Sequence, residues 1–117
     1  MRSEAIRSVI RAYDDPIVRA YCWGRFWILR QRFLDEIGQY LPPRGRVLDL
    51  GCGFGLFSLY YATARPALSV EGFDRNPRRI AMARAAAARL GLPNVRYEIG
   101  DVMDFKGGER FDPAYML

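Results

Sequence analysis

Apolar residues in the first 43 positions recur at helical spacing. Residues 3–12 predict a short helix, and a second helix begins at Asp15 and Pro16, since aspartate caps a helix and proline fits its first turn. Gly24 could divide this second helix into two pieces, and Pro42 with Pro43 ends it. Its apolar positions follow a period near 3.6 residues: Tyr21, Phe26, Leu29, Phe33, Ile37 and Leu41.

From residue 47 onward, short apolar runs alternate with helical segments. Helices are predicted at 56–64 and 78–90, the second one started by Asn76-Pro77 and stopped by Gly91. The apolar runs predict strands at 47–50, 68–73, 95–99 and 114–117. This alternation predicts an α/β fold, a Rossmann-like three-layer sandwich with a parallel sheet of about four strands in the order 3-2-1-4.

Chemically distinctive residues follow the predicted strands. The segment Asp49-Leu50-Gly51-Cys52-Gly53-Phe54-Gly55 follows the first strand, Asp74 the second and Asp101 the third. Each has an ordinary structural explanation alone, as a tight turn, a turn residue or a loop acid. Ligands of parallel sheets bind at the carboxyl ends of the strands, however, and three carboxylates there favour one shared nucleotide site.

Several details of the glycine-rich loop argue against a dinucleotide. The third glycine of a dinucleotide fingerprint is replaced by Leu56, with Gly55 one residue earlier. Asp49 would repel a pyrophosphate but attract a cationic ammonium group. Asp74 lies 21 residues after Gly53, a separation suited to ribose hydroxyls. The loop therefore favours a cationic nucleoside over a diphosphate.

The histidine and cysteine content, the length of the apolar runs and the net charge limit the classes of function that this chain can have. The chain of 117 residues has no histidine, which excludes a histidine base, and Cys22 and Cys52 lack zinc-ligand spacing. No apolar run approaches a membrane span, and we expect a cytoplasmic protein. The net charge is +5, and residues 1–46 contribute most of it through arginine. This excess permits an anionic partner, although solvated helix faces are the simpler explanation.

Four motifs resemble those of class I (Rossmann-like) S-adenosylmethionine-dependent methyltransferases. They are VLDLGCGFG at 47–55, GFDRNP at 72–77, NVRYEIGDVMDF at 94–105 and RFDPAYML at 110–117. The resemblance implies that S-adenosyl-L-methionine is the cofactor. It implies that Asp49 and the loop Gly51, Cys52, Gly53 and Gly55 line the methionine portion. It further implies that Asp74 binds the ribose and that the adenine is contacted by Arg75, Asn76, Asp101, Val102 and Met103.

The resemblance covers about residues 44–117, which we expect to form the cofactor-binding subdomain, preceded by a helical segment at 1–43. Members of this family have a seven-stranded sheet, whereas this sequence stops within the fourth strand, so we expect an incomplete domain with an exposed sheet edge capable of self-association. Pro113 is unusual for a central strand because it cannot donate to the ladder.

The methyl acceptor and the catalytic base stay open at the level of sequence. Tyr13, Tyr21 and Trp23 precede the cofactor motifs, in a segment that often covers the cofactor in this family, although core packing is the simpler explanation. We expect a small-molecule or lipid-like acceptor, with nucleic acid weakly supported by the arginines. The alternatives are a non-catalytic S-adenosylmethionine-binding or assembly module and, less favoured, an NAD-dependent oxidoreductase.

Overall fold

Helices and parallel strands alternate through most of the chain. A computed structural model describes residues 2–39, 41, 44–100 and 114–116. Its helices are α1 (Arg2–Arg11), α2 (Pro16–Gln39), α3 (Leu56–Ala64) and α4 (Pro77–Leu90). Its strands are β1 (Gly45–Leu50), β2 (Leu68–Asp74), β3 (Val95–Ile99) and β4 (Ala114–Met116). The predicted α/β class is confirmed, because β1, β2 and β3 are connected through α3 and α4.

The sheet brings the carboxyl ends of its strands together. The hydrogen-bonded order is β3-β2-β1-β4, and each neighbouring pair is parallel. In register, Asp49 of β1 lies beside Gly72 of β2, and Asp74 at the end of β2 lies beside Ile99 of β3. The loops that follow β1 and β2 therefore start at the same edge.

The core lies between the sheet and the helices, with α3 at its centre. Every residue of α3 from Leu56 to Ala62 is buried, more than the one-sided pattern of its sequence predicts. This burial follows from its position, since α3 contacts α1 as well as β2. α1 contributes Ile6, Val9 and Ile10, each no more than 1% exposed.

Local sequence signals set the limits of the helices. The Asn76 side chain accepts hydrogen bonds from the N–H groups of Arg78 and Arg79, and Gly91 ends α4 with a left-handed φ of 65°. Asp15 accepts a hydrogen bond of 2.8 Å from the Ile17 N–H at the start of α2. The predicted division at Gly24 is wrong, because α2 is one continuous helix and this glycine faces open space.

Among the described helices, none combines the length and apolar character needed to cross a bilayer.

Candidate functional site

The glycine-rich loop between β1 and α3 forms a narrow turn at the carboxyl edge of the sheet. Gly51, Gly53 and Gly55 all have positive φ, at 73°, 59° and 86°, a region that side chains with a Cβ rarely adopt. The Phe73 carbonyl accepts hydrogen bonds from the N–H groups of Gly51 and Cys52, at 2.8 and 2.9 Å. These bonds fix the loop to the end of β2.

The glycines of this loop serve two different purposes. A Cβ on Gly51 or Gly53 would meet nothing within 4 Å, so these residues leave free space in front of the loop. A Cβ on Gly55 would lie 2.6 Å from the Tyr97 hydroxyl, and one on Gly72 would lie 2.7 Å from the Tyr97 ring. Tyr97 therefore supports the loop from behind, while its front is open to a ligand.

A small polar network holds Tyr97 under the loop. The hydroxyls of Tyr97 and Ser58 are 2.7 Å apart, and both lie near the Gly55 carbonyl, to which Ser58 donates at 3.1 Å. Burial raises the pKa of Tyr97 well above its ordinary value, with a smaller opposing effect from Ser58. Tyr97 is thus a neutral support for the loop.

Asp49 is a buried carboxylic acid with an unsatisfied oxygen. The residue is 1% exposed, and its Oδ1 has no hydrogen-bond partner among the residues that the structure describes. Burial raises the pKa of Asp49 to about 8, Ser58 offsets part of this rise, and the charge of Asp74 adds to it. A buried unpaired acceptor is costly, so this oxygen is suited to a ligand that donates hydrogen bonds or carries positive charge.

Asp74 joins the glycine loop to the start of α4. Its Oδ2 accepts the Gly53 N–H at 2.9 Å, and its Oδ1 accepts the Asn76 N–H at 2.9 Å. A carboxylate has about four acceptor positions, so both oxygens keep capacity for a ligand's hydroxyl groups. Arg75 and Asn76 follow directly and line the same shallow cavity of about 380 Å³ as Asp74.

A second cavity of about 160 Å³ lies on the other side of the glycine loop, under α2. Asp74, Gly51 and Arg79 line both cavities, which makes the two parts of one surface. Cys52 also lines the smaller cavity, and burial raises the pKa of its thiol, so this cysteine is not an activated nucleophile. A larger cavity of about 670 Å³ lies between α1, α3 and the end of α2, and none of these loop residues lines it.

Seven residues that line the smaller cavity were not among the predicted cofactor residues, and three of them, Tyr21, Arg25 and Arg79, make aromatic or cation–π contacts there with Phe54 or Phe57. Tyr21 of α2 contacts the Phe54 ring edge-to-face at 5.7 Å, and Arg25 lies 5.4 Å from the centre of the Phe57 ring. Arg79 lies 5.7 Å from the Phe54 ring centre. Arg79 could have been found, because it lies in the first turn after the Asn76 cap. No feature of the neighbouring sequence indicates that Arg25 belongs to the cavity, since only tertiary packing brings α2 over the loop.

The predicted site residues are thus brought together as far as the structure describes them. Six of them line the two cavities: Gly51, Cys52, Gly53, Asp74, Arg75 and Asn76. Asp49 and Gly55 line neither cavity: the charge of Asp74 acts on the buried Asp49, and Gly55 lies against Tyr97 at the end of the loop. The predicted adenine contacts Asp101, Val102 and Met103, and Pro113, lie outside the described residues.

The fit to a cationic nucleoside rests on features of this structure alone. Asp49 offers an unsatisfied buried oxygen, Asp74 keeps free acceptor positions, and the Gly51–Gly53 turn leaves space that a Cβ would fill. These are the groups that the ammonium, the ribose hydroxyls and the close backbone approach of S-adenosylmethionine require. The residues present therefore fit this cofactor.

Comparison with known proteins agrees with this chemistry. Residues 47–117 match the family described as a methyltransferase domain. The 23S rRNA (uracil(747)-C(5))-methyltransferase of Cronobacter sakazakii is 40% identical over 75 residues, which are 64% of this chain and 20% of the relative. The ribosomal RNA small subunit methyltransferase G of Alkalilimnicola ehrlichii is 36% identical over 86 residues, 73% of this chain and 39% of the relative.

A solved structure supports the fold. Coclaurine N-methyltransferase bound to N-methylheliamine and SAH superposes with a TM-score of 0.67 at 23% identity, covering 73% of this chain and 26% of that one. The chain spans between a fifth and two fifths of the length of these proteins. By the family match over residues 47–117, the chain belongs to the class I S-adenosylmethionine-dependent methyltransferases.

Proposed function

We propose that the surface formed by the two cavities binds S-adenosyl-L-methionine for methyl transfer. The observation that carries this proposal is the Asp74 carboxylate at a glycine loop with free space in front of it, near enough to the unsatisfied, buried Asp49 for their charges to interact. Asp49 would face the ammonium group of the methionine portion, and Asp74 the ribose hydroxyls. Arg75 and Asn76 would flank the adenine, together with Asp101, Val102 and Met103.

When bound, the cofactor would supply a methyl group bonded to a sulfonium sulfur, and this sulfur would leave as a neutral thioether when a nucleophile of the acceptor takes the methyl group. The residues of this chain contribute position and exclusion of water rather than covalent chemistry. Tyr13 holds the loop from the side of α1, because its hydroxyl donates to the Phe54 carbonyl at 2.7 Å. Tyr21 and Phe54 cover the smaller cavity with aromatic rings. No residue of the described cavities is assigned as a catalytic base.

For the acceptor, we propose a small-molecule or lipid-like compound with apolar character. α2, whose Tyr21 lines the smaller cavity, also exposes apolar side chains elsewhere along its length, with Ile17 at 80% and Trp27 at 76% exposure. Such a surface suits an apolar acceptor better than a phosphate backbone, which requires cationic donors. RNA is the second candidate, because both relatives above are named ribosomal RNA methyltransferases and the chain carries a net charge of +5.

Titration calorimetry with S-adenosylhomocysteine tests the cofactor assignment. Asp74→Asn is expected to weaken binding roughly ten- to hundredfold, because a hydrogen bond to a charged group contributes about 1.5–3 kcal/mol. Glu71→Gln is the matched control on the same strand, because it also replaces a carboxylate by an amide but in a half-buried ion pair with Arg46 away from both cavities. Tighter binding of NAD than of S-adenosylhomocysteine, or an unchanged affinity in Asp74→Asn, would contradict the proposal.

A methyl-transfer assay distinguishes the enzyme from a non-catalytic module. The purified chain is incubated with labelled cofactor and separate pools of lipids, small aromatic compounds and ribosomal RNA. We expect label in the lipid or small-molecule pool. Label in the RNA alone would favour the second candidate, and cofactor binding without transfer to any pool would favour the binding module.

A further inference from the structure

One side of α2 is exposed and consists of apolar residues. We define the α2 face as seven residues that share one side of the helix: Pro16, Ile17, Ala20, Tyr21, Trp23, Gly24 and Trp27. All seven are exposed, with Ile17 at 80%, Tyr21 at 51%, Trp23 at 42% and Trp27 at 76%. The opposite side carries Val18 and Cys22, which are buried in the core. The helix thus has apolar residues on both sides, only one of which is packed.

The composition of the α2 face differs from that of an ordinary solvated helix. Both tryptophans of the chain lie on it, and none of its seven residues is charged. Between residues 16 and 34, the same helix carries four arginines and no acidic residue, and Asp35 and Glu36 near its end leave a net charge of +2 over Pro16–Gln39. Two of these arginines are held in place, Arg19 by the Tyr13 carbonyl at 2.6 Å and Arg25 over the Phe57 ring. An apolar face with indole rings on a cationic helix is typical of helices that lie in the headgroup region of anionic membranes.

The α2 face adjoins the proposed cofactor site. Tyr21 belongs to the face and also lines the smaller cavity, where its ring contacts Phe54. A surface on which the face rests would therefore lie next to the mouth of that cavity. A methyl acceptor carried in such a surface would reach the cavity without leaving the lipid.

We infer that the α2 face docks the protein onto anionic lipid surfaces. The charge of α2 separates this occupant from a second copy of the chain, because two cationic helices repel each other while an anionic surface attracts them. It differs from a nucleic acid as well, since a lipid surface offers an apolar interior in which the uncharged face can be buried and a phosphate backbone does not. Docking goes beyond methyl transfer and requires no bound cofactor.

Intrinsic fluorescence reports directly on this face, because both tryptophans lie on it. With vesicles of phosphatidylcholine and phosphatidylglycerol, we expect a blue shift of the emission and quenching by brominated lipids. Added salt should weaken binding, and vesicles of phosphatidylcholine alone should bind less. A blue shift that depends on protein concentration without vesicles would overturn the inference in favour of self-association. Quenching by polyuridylate without a response to vesicles would overturn it in favour of RNA.

Co-sedimentation of variants locates the contact. Trp27→Ala is expected to weaken vesicle binding roughly tenfold, since a large aromatic surface no longer leaves water. Ile17→Asp should have a similar effect while keeping α2 folded, because an acid in the first turn is favourable there. Ile99→Ser is the matched control, since Ile99 is 52% exposed but lies on β3. Equal binding of all three variants and the parent would refute docking through α2, and S-adenosylhomocysteine affinity measured in parallel tests the cofactor site separately.

Discussion

At the scale of single residues, the burial of Asp49 has a structural cost, which the ligand role proposed for it would offset. Burial raises its pKa to about 8, whereas an aspartate in an unfolded chain titrates near about 3.9. Between these two values the native state binds a proton that the unfolded state has released, so the free energy of unfolding falls as the pH rises. In the proposed cofactor site, a cationic ligand facing the carboxylate would restore the stability lost by pH 8.

Asp49→Asn separates these two effects. The variant should be more stable than the parent at pH 8, by up to a few kcal/mol, and close to it near pH 4, as measured by urea unfolding at both values. Its affinity for S-adenosylmethionine should be lower, and it should lack the rise with pH up to about 8 that we expect for the parent. Glu98→Gln, at an exposed side chain, is the control for both measurements. Parallel pH profiles for parent and Asp49→Asn would contradict this account.

At the scale of elements, the connection between α1 and α2 is fastened to the site by long-range contacts. The buried Tyr13 hydroxyl donates to the Phe54 carbonyl across 41 residues of sequence, and Arg89 of α4 donates to the Ala12 carbonyl at 2.6 Å. Arg89 also pairs with Asp14, and Arg78 with Asp15 at 3.4 Å. These contacts link the N-terminal helices to both the glycine loop and α4.

Tyr13→Phe removes one of these links while keeping the ring. We expect a loss of about 1–3 kcal/mol in the free energy of unfolding, because the Phe54 carbonyl is left without this donor in a partly buried position. Urea unfolding should show a lower midpoint with an unchanged slope. Tyr21→Phe is the control, since that hydroxyl belongs to a residue that is 51% exposed. A Tyr13→Phe variant as stable as the Tyr21→Phe control would argue against the link.

The limits of sequence prediction follow from the range of these contacts. β3 was predicted at its observed limits and α4 within one residue, because caps and breakers act locally. The sequence could place Asp49 and Asp74 at one edge of the sheet because strand ends converge in any parallel sheet. Tyr97 and Arg25 were not assigned to the site, since their positions depend on packing across the fold. The regular apolar spacing of α2 also included Tyr21, which the structure places on the exposed side.

At the scale of the whole molecule, β3 is an edge strand of the described sheet, and its free side has to be kept from pairing with other chains. β3 forms ladder bonds with β2 through alternate residues, such as the Asn94 carbonyl with the Val70 N–H and the Gly100 N–H with the Asp74 carbonyl. Tyr97 falls between them, so its carbonyl faces away from β2. Arg84 of α4 donates to this carbonyl through Nε at 3.0 Å and through Nη2 at 2.6 Å. Its guanidinium therefore occupies an acceptor that another strand would need.

Arg84→Ala should open this edge and promote self-association. The freed Tyr97 carbonyl, in the middle of β3, becomes available to a second chain, and the Arg84 charge near Glu98 is lost as well. Sedimentation velocity should show an average mass that rises with concentration more steeply for Arg84→Ala than for the parent. Arg96→Ala is the matched control, because it removes an exposed arginine from β3 itself without freeing that carbonyl. Only Arg84→Ala exposes a backbone group. If both variants associate more than the parent and to the same extent, charge rather than the blocked acceptor protects the edge; if neither does, the Arg84 contact does not protect it.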